Sequence, residues 1–107
     1  MRLPPALAAS ATTRILEELG KPPQRVLELG FAGIHATPLR LAGFDVTVVE
    51  PDPAYMERAR QRAGDALENV PAGEWDAVVA PEGVAAPPAR REIRVRQDGS
   101  VWSSASS

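Results

Sequence analysis

The sequence predicts a single α/β domain, three layers deep, around a reduced and mostly parallel sheet that ends in a C-terminal β-hairpin. Three observations predict it. Short apolar runs, Val26 to Leu29 and Val46 to Val49, alternate with segments of helical spacing, as strands joined by helices require. The run Val46-Thr47-Val48-Val49 is β-branched throughout, which suits a parallel strand covered on both faces. Near the end, Ile93 and Val95 alternate with Arg94 and Arg96, and Gln97-Asp98-Gly99-Ser100 turns the chain back into Val101-Trp102.

The elements follow in order. Leu7, Ala8, Ala11, Ile15, Leu16 and Leu19 recur every three or four positions, so residues 5–19 read as an amphipathic helix. Pro5 suits its first turn, Gly20 its exit, and Pro22-Pro23 stop it. After the first strand a brief helix is expected, with Thr37-Pro38 at its start and Gly43 at its end. Asp52-Pro53 then supplies a cap and a first-turn proline for a helix to about Arg62, with Tyr55, Met56, Ala59 and Ala63 on its inner side and Gly64 after it. Trp75 to Ala80 is a third strand, broken by Pro81-Glu82-Gly83, and Ser103 to Ser107 is expected to fray. Ten residues lie between Gly64 and Trp75, too few for another strand and its return, so the strand ending in Glu50 is expected at or near a sheet edge. With right-handed crossovers, the helix entering that strand and the helix leaving it back past the first strand are expected on opposite faces.

Bulk properties restrict the chemistry. The 107 residues fit one small domain, with a thin stability margin. Without cysteine there is no disulfide and no thiolate metal site, and one histidine cannot form a histidine-rich cluster, so no metal is expected. A net charge of −2 without charged blocks gives no reason to expect nucleic acid. No apolar run approaches the roughly 20 residues of a membrane span, and Met1-Arg2-Leu3-Pro4-Pro5 does not read as a signal peptide. A cytoplasmic protein is the expectation.

Chemistry concentrates at two places. Gly30 and Gly33 follow the first strand, where a ligand would need close access to backbone. Glu50, twenty positions after Gly30, ends the second strand, and a carboxylate there can accept two hydrogen bonds from a ribose diol. The bland alternative is that the glycines only turn the chain and Glu50 is a solvated strand end.

The surrounding residues carry a resemblance. Val26-Leu27-Glu28-Leu29-Gly30 with Gly33, then Val46-Thr47-Val48-Val49-Glu50-Pro51-Asp52-Pro53, resembles the class I S-adenosylmethionine-dependent methyltransferases. The likeness covers residues 25–64 and extends loosely to Trp75-Asp76-Ala77-Val78-Val79-Ala80. It implies a Rossmann-like methyltransferase fold with S-adenosylmethionine as cofactor. The resemblance places Glu28, Gly30, Phe31 and Gly33 around the methionine part, Glu50 on the ribose and Asp65-Ala66 beside the adenine. Pro81-Glu82 falls where the family faces the reacting methyl, and lacks the Asn/Asp-Pro-Pro-aromatic pattern of enzymes that methylate amide or base nitrogens. The loop departs from the family pattern: Ala32 replaces one glycine, and a one-residue deletion makes Gly33 the last of them. No catalytic residue is assigned; His35 reads as a methyl-transfer base or, more plainly, as a loop hydrogen-bonding residue.

A dinucleotide-binding domain is the rival, since Asp45 to Glu50 suits it equally. Glu28 ahead of the loop, and the thirteen positions from Gly30 to Gly43, count against it. The substrate-binding part of a methyltransferase has little room here. The expectation is therefore either an enzyme whose site a homodimer or protein partner completes, or a non-catalytic binding module on the same fold. Arg90, Arg91, Arg94 and Arg96 read as the solvent face of an edge strand, and Tyr55, Trp75 and Trp102 as packing residues.

Overall fold

The structure is a computed structural model and describes residues 2–105. Its elements are α1 (Pro5–Leu19), β1 (Arg25–Leu29), α2 (Ala36–Leu41), β2 (Asp45–Val49), α3 (Pro53–Ala63), β3 (Ala77–Pro81), β4 (Arg91–Val95) and β5 (Val101–Ala105). The strands form one sheet in the order β2-β1-β3-β4-β5, parallel except for the antiparallel β4-β5 hairpin. This is a small α/β domain with a mostly parallel, Rossmann-like sheet.

Local chemistry explains the element ends. Pro5 opens α1, where its missing amide has no helical partner to lose, and the Gly20 amide closes it on the Leu16 carbonyl. The Asp52 carboxylate caps α3 by accepting from the Ala54 amide at 2.9 Å, and Gly64, at a φ of 79°, ends it. α2 begins at Ala36 rather than at Thr37-Pro38, because Gly33 to His35 already wind as a turn and the Ala36 amide donates to the Gly33 carbonyl. Pro38 therefore lies inside the first turn, where its missing amide is still tolerated. Ser103 to Ala105, expected to fray, instead pair with Arg91 to Ile93 in β5. Ser106 and Ser107 lie outside the described residues.

The expected three layers of helix, sheet and helix are not present among the described residues. α1, α2 and α3 all bury their apolar sides against one face, formed by Val26, Val46, Val48, Ala77, Val79, Ile93 and Val95. The opposite face (Leu27, Leu29, Val49, Val78 and Ala80) is covered by Trp75 and by Val84, Ala86 and Ala89 of the connecting segments. The cause is the path after α3. The chain does not return directly past β1. It continues outward to Leu67, which forms a single parallel bridge with Val49 on the free side of β2. Both crossovers thus run in the same direction across the sheet, and right-handedness puts α2 and α3 on the same face. Counting that bridge, the parallel order Leu67-β2-β1-β3-β4 follows the doubly wound pattern, with the outermost strand reduced to one residue pair. The edge position expected for β2 is therefore observed.

That edge is closed by three groups. The Leu67 amide donates to Val48 and its carbonyl accepts from Glu50, each at 2.9 Å. The Arg40 guanidinium covers the rest, donating to the Val46 carbonyl and the Ala63 carbonyl at 2.8 Å each and pairing with Asp65 at 3.1 Å. A guanidinium that donates to the Val46 carbonyl of the strand and spans from it to the end of α3 leaves little ladder for a foreign strand.

Candidate functional site

The turn after β1 is built by backbone constraints. Gly30 has a φ of 85°, and a Cβ there would lie 3.4 Å from the Pro81 ring at the tip of β3. The close neighbour of Gly30 across the switch between β1 and β3 is thus a proline of the chain itself. Ala32 has a φ of 52°, a left-handed conformation that a residue with a Cβ adopts only at some strain. It is held there from both sides: its amide donates to Glu50 Oε1 at 2.8 Å, and its carbonyl accepts from Arg62 at 3.2 Å.

Glu50 is 3% exposed. Its second oxygen, Oε2, accepts from the Asp52 amide at 3.0 Å. Both carboxylate oxygens are therefore engaged with backbone, one tying the glycine turn to β2 and the other shaping the start of α3. It is not the solvated strand end of the bland alternative: each of its oxygens already accepts one backbone N–H.

Beneath the turn lie two buried ionisable groups. Glu28, on the helix-facing side of β1, is fully buried, and neither carboxyl oxygen meets hydrogen-bond geometry, the His35 amide lying near enough only to favour the charged form. Burial pushes its pKa up to about 8, against the pull of the His35 amide and of the Arg40 and Arg62 charges, with Glu50 adding a further push upward. The carboxyl is thus mainly protonated at neutral pH. His35 is fully buried too, packed edge-on against Phe31 with ring centroids 4.8 Å apart. Its Nδ1 lies 2.6 Å from the Thr12 hydroxyl, which itself donates to the Ala8 carbonyl, while Nε2 has no partner. Desolvation lowers the His35 pKa to about 4, so the ring is neutral. It acts as a hydrogen-bonding residue linking the turn to α1.

The remaining predicted site residues separate. Gly33 packs on α3, where a Cβ would approach the Ala59 carbonyl to 3.3 Å. Ala66 is buried, and Asp65 is exposed and paired with Arg40 at the β2 edge. Pro81 and Glu82 border a second hollow of about 490 Å³ with Arg2, Val84 and Gln97, which Gly30 and Glu50 do not reach. Glu82 accepts from the Trp102 indole at 2.9 Å and from Arg96 at 3.0 Å, so it is a hairpin brace. The arginine cluster is not simply a solvent face: Arg94 is largely buried, donating to the Pro81 and Val84 carbonyls and to Glu92. Trp75 is buried under the Arg25 guanidinium, as a packing residue should be, while Tyr55 is half-buried on α3 and lines a cleft on the helix side.

That cleft, of about 720 Å³, lies between α1 and α3 over the turn, and sequence reading missed it. Tyr55, Arg58 and Arg62, spaced three and four apart, share one side of α3, and this was the available signal. Among the described residues no cluster of His, Asp or Glu is arranged to hold a metal, and no helix is long and apolar enough to cross a membrane.

No family model matches the sequence, and no curated protein matches it. Solved structures do match by fold. One is the crystal structure of Thermoplasma acidophilum 1320, with a TM-score of 0.60 and 20% identity. The alignment covers 83% of this chain and 58% of that one, so this chain spans little more than half the length of its structural neighbour. At that identity the likeness shows the fold alone.

Proposed function

We propose that this chain is a non-catalytic binding module on a methyltransferase-type fold. The observation that carries the reading is the burial of Glu50, 3% exposed, with its two oxygens turned onto the Ala32 and Asp52 amides. A ribose diol would have to find acceptors on a carboxylate that is almost wholly buried and already bonded. In this arrangement Glu50, which the resemblance assigns to the ribose of S-adenosylmethionine, does not fit it.

One observation favours a second reading, in which the cofactor binds after the turn opens. The unpartnered oxygens of Glu28 lie at the position the resemblance assigns to the methionine part, and a ligand ammonium would satisfy them. Calorimetric titration with S-adenosylmethionine, with its demethylated product and with a nicotinamide dinucleotide separates the readings. The expected result is no saturable binding of any of the three. Saturable binding of the first two that is lost in Glu28→Gln would overturn the expectation that the turn excludes the cofactor and favour the second reading.

A further inference from the structure

α2 has only six residues, so it leaves the space between α1 and α3 open above the turn, and that space is the cleft of about 720 Å³. Its volume falls within the roughly 300–1,000 Å³ of small-molecule sites. Its floor is apolar, with Phe31 and Ile34 from the turn and half-buried Tyr55 from α3. Its rim carries Arg2, Arg58 and Arg62, and no aspartate or glutamate lines it. Arg62 is partly committed to the Ala32 carbonyl at 3.2 Å. The Arg2 and Arg58 side chains are exposed and make no hydrogen bond or ion pair among the described residues. Neither Gly30 nor Glu50 borders the cleft.

Three like charges over an apolar floor, in a chain whose net charge is −2, are an uncompensated arrangement. Guanidinium groups pair most strongly with carboxylate or phosphate oxygens, and more so beside a surface that excludes water. We propose that the cleft binds a small organic anion with an apolar body. The anionic head is held by Arg58 and Arg2, and the body lies on Phe31, Ile34 and Tyr55. The proposal borders the same turn through Phe31 and Ile34 but does not depend on the function assigned above, since it uses neither Glu28, Gly30 nor Glu50.

The test is a fluorescence titration with 8-anilinonaphthalene-1-sulfonate, an apolar anion, followed by displacement with ligands that share one chain and differ in head group. Decanoate and decyl phosphate are expected to displace the probe, and the stronger of the two identifies the preferred head. Decanol should be weaker by roughly tenfold or more, the loss expected for charge-assisted hydrogen bonds, and decyltrimethylammonium should not compete. Arg58→Glu should weaken both anions by roughly tenfold and leave decanol unchanged. Ala9→Trp, at an exposed α1 position lining the cleft, should remove all binding without lowering the melting temperature. If either variant fails to fold, Arg2→Glu, outside every helix, takes its place as the charge test. No probe enhancement, equal displacement by decanol and decanoate, or unchanged anion affinity in the charge variant would each overturn the proposal.

Discussion

Glu28 and His35 make the stability of the fold depend on pH in opposite senses. Glu28 has its folded pKa raised from 4.5 to about 8, so its contribution is fully present below 4.5 and is lost as pH rises toward 8. His35 has its folded pKa lowered from 6.5 to about 4, so its contribution is present above 6.5 and is lost as pH falls toward 4. Between 4.5 and 6.5 the two slopes cancel, and above 6.5 only the Glu28 decline remains. Stability should therefore be greatest in that mildly acidic window and lower by about 2 kcal/mol at pH 8. Urea denaturation at both pH values measures this, and Glu28→Gln should flatten the alkaline decline; parallel pH curves for parent and variant would refute the assignment. Ala32 gives a second prediction. Replacing alanine by glycine usually costs about 1 kcal/mol, but here the left-handed φ of 52° favours glycine. Ala32→Gly should be neutral or stabilising by up to about 1 kcal/mol in the same assay. Residues at this scale were only partly legible. The sequence showed a carboxylate at the tip of the second strand, but nothing in the order of side chains reveals that two backbone amides consume it.

The elements were more legible than the residues. Helical spacing and caps placed α1 and α3 almost to the residue, and alternation with an Asp98-Gly99 turn located the β4-β5 hairpin. These signals are local, carried by side chains a few positions apart. The layer arrangement failed because it depends on one non-local event, the bridge between Leu67 and Val49, which is made by backbone and has no side-chain pattern. The cleft went unread for a similar reason: its walls are α1 and α3, more than thirty positions apart. The edge of β2 supplies a prediction at this scale. Arg40→Ala removes donors to the Val46 and Ala63 carbonyls and the contact with Asp65. The loss should be about 2 kcal/mol, and the exposed ladder should raise self-association at high protein concentration. Denaturation together with light scattering checks both; an equally stable, monodisperse variant would show that Leu67 alone protects the edge.

Across the whole molecule, the sheet separates a helical side from a side covered only by connecting chain. Trp75 is the largest group on that thinner side, 3% exposed, with the Arg25 guanidinium 4.3 Å from its ring. A chain of this size has a total stability of roughly 5–15 kcal/mol. Trp75→Ala should cost about 3–5 kcal/mol, a large share of it, and the thermal transition should show the loss directly. The way the first helix is anchored has a consequence for the order of folding. α1 rests on the hairpin: the Ser103 hydroxyl donates to Glu18 at 2.6 Å, Gly99 lies against Leu7, and Val101 packs into the helix-side core. The first helix described therefore has part of its docking surface among the last residues described. Most domains can begin to assemble from the N-terminal end during synthesis, but here part of the apolar stripe of α1 stays uncovered until β5 has emerged. A nascent chain halted near residue 90 should accordingly be open to protease throughout α1, and extension through Ala105 should protect that helix and the hairpin in a single step.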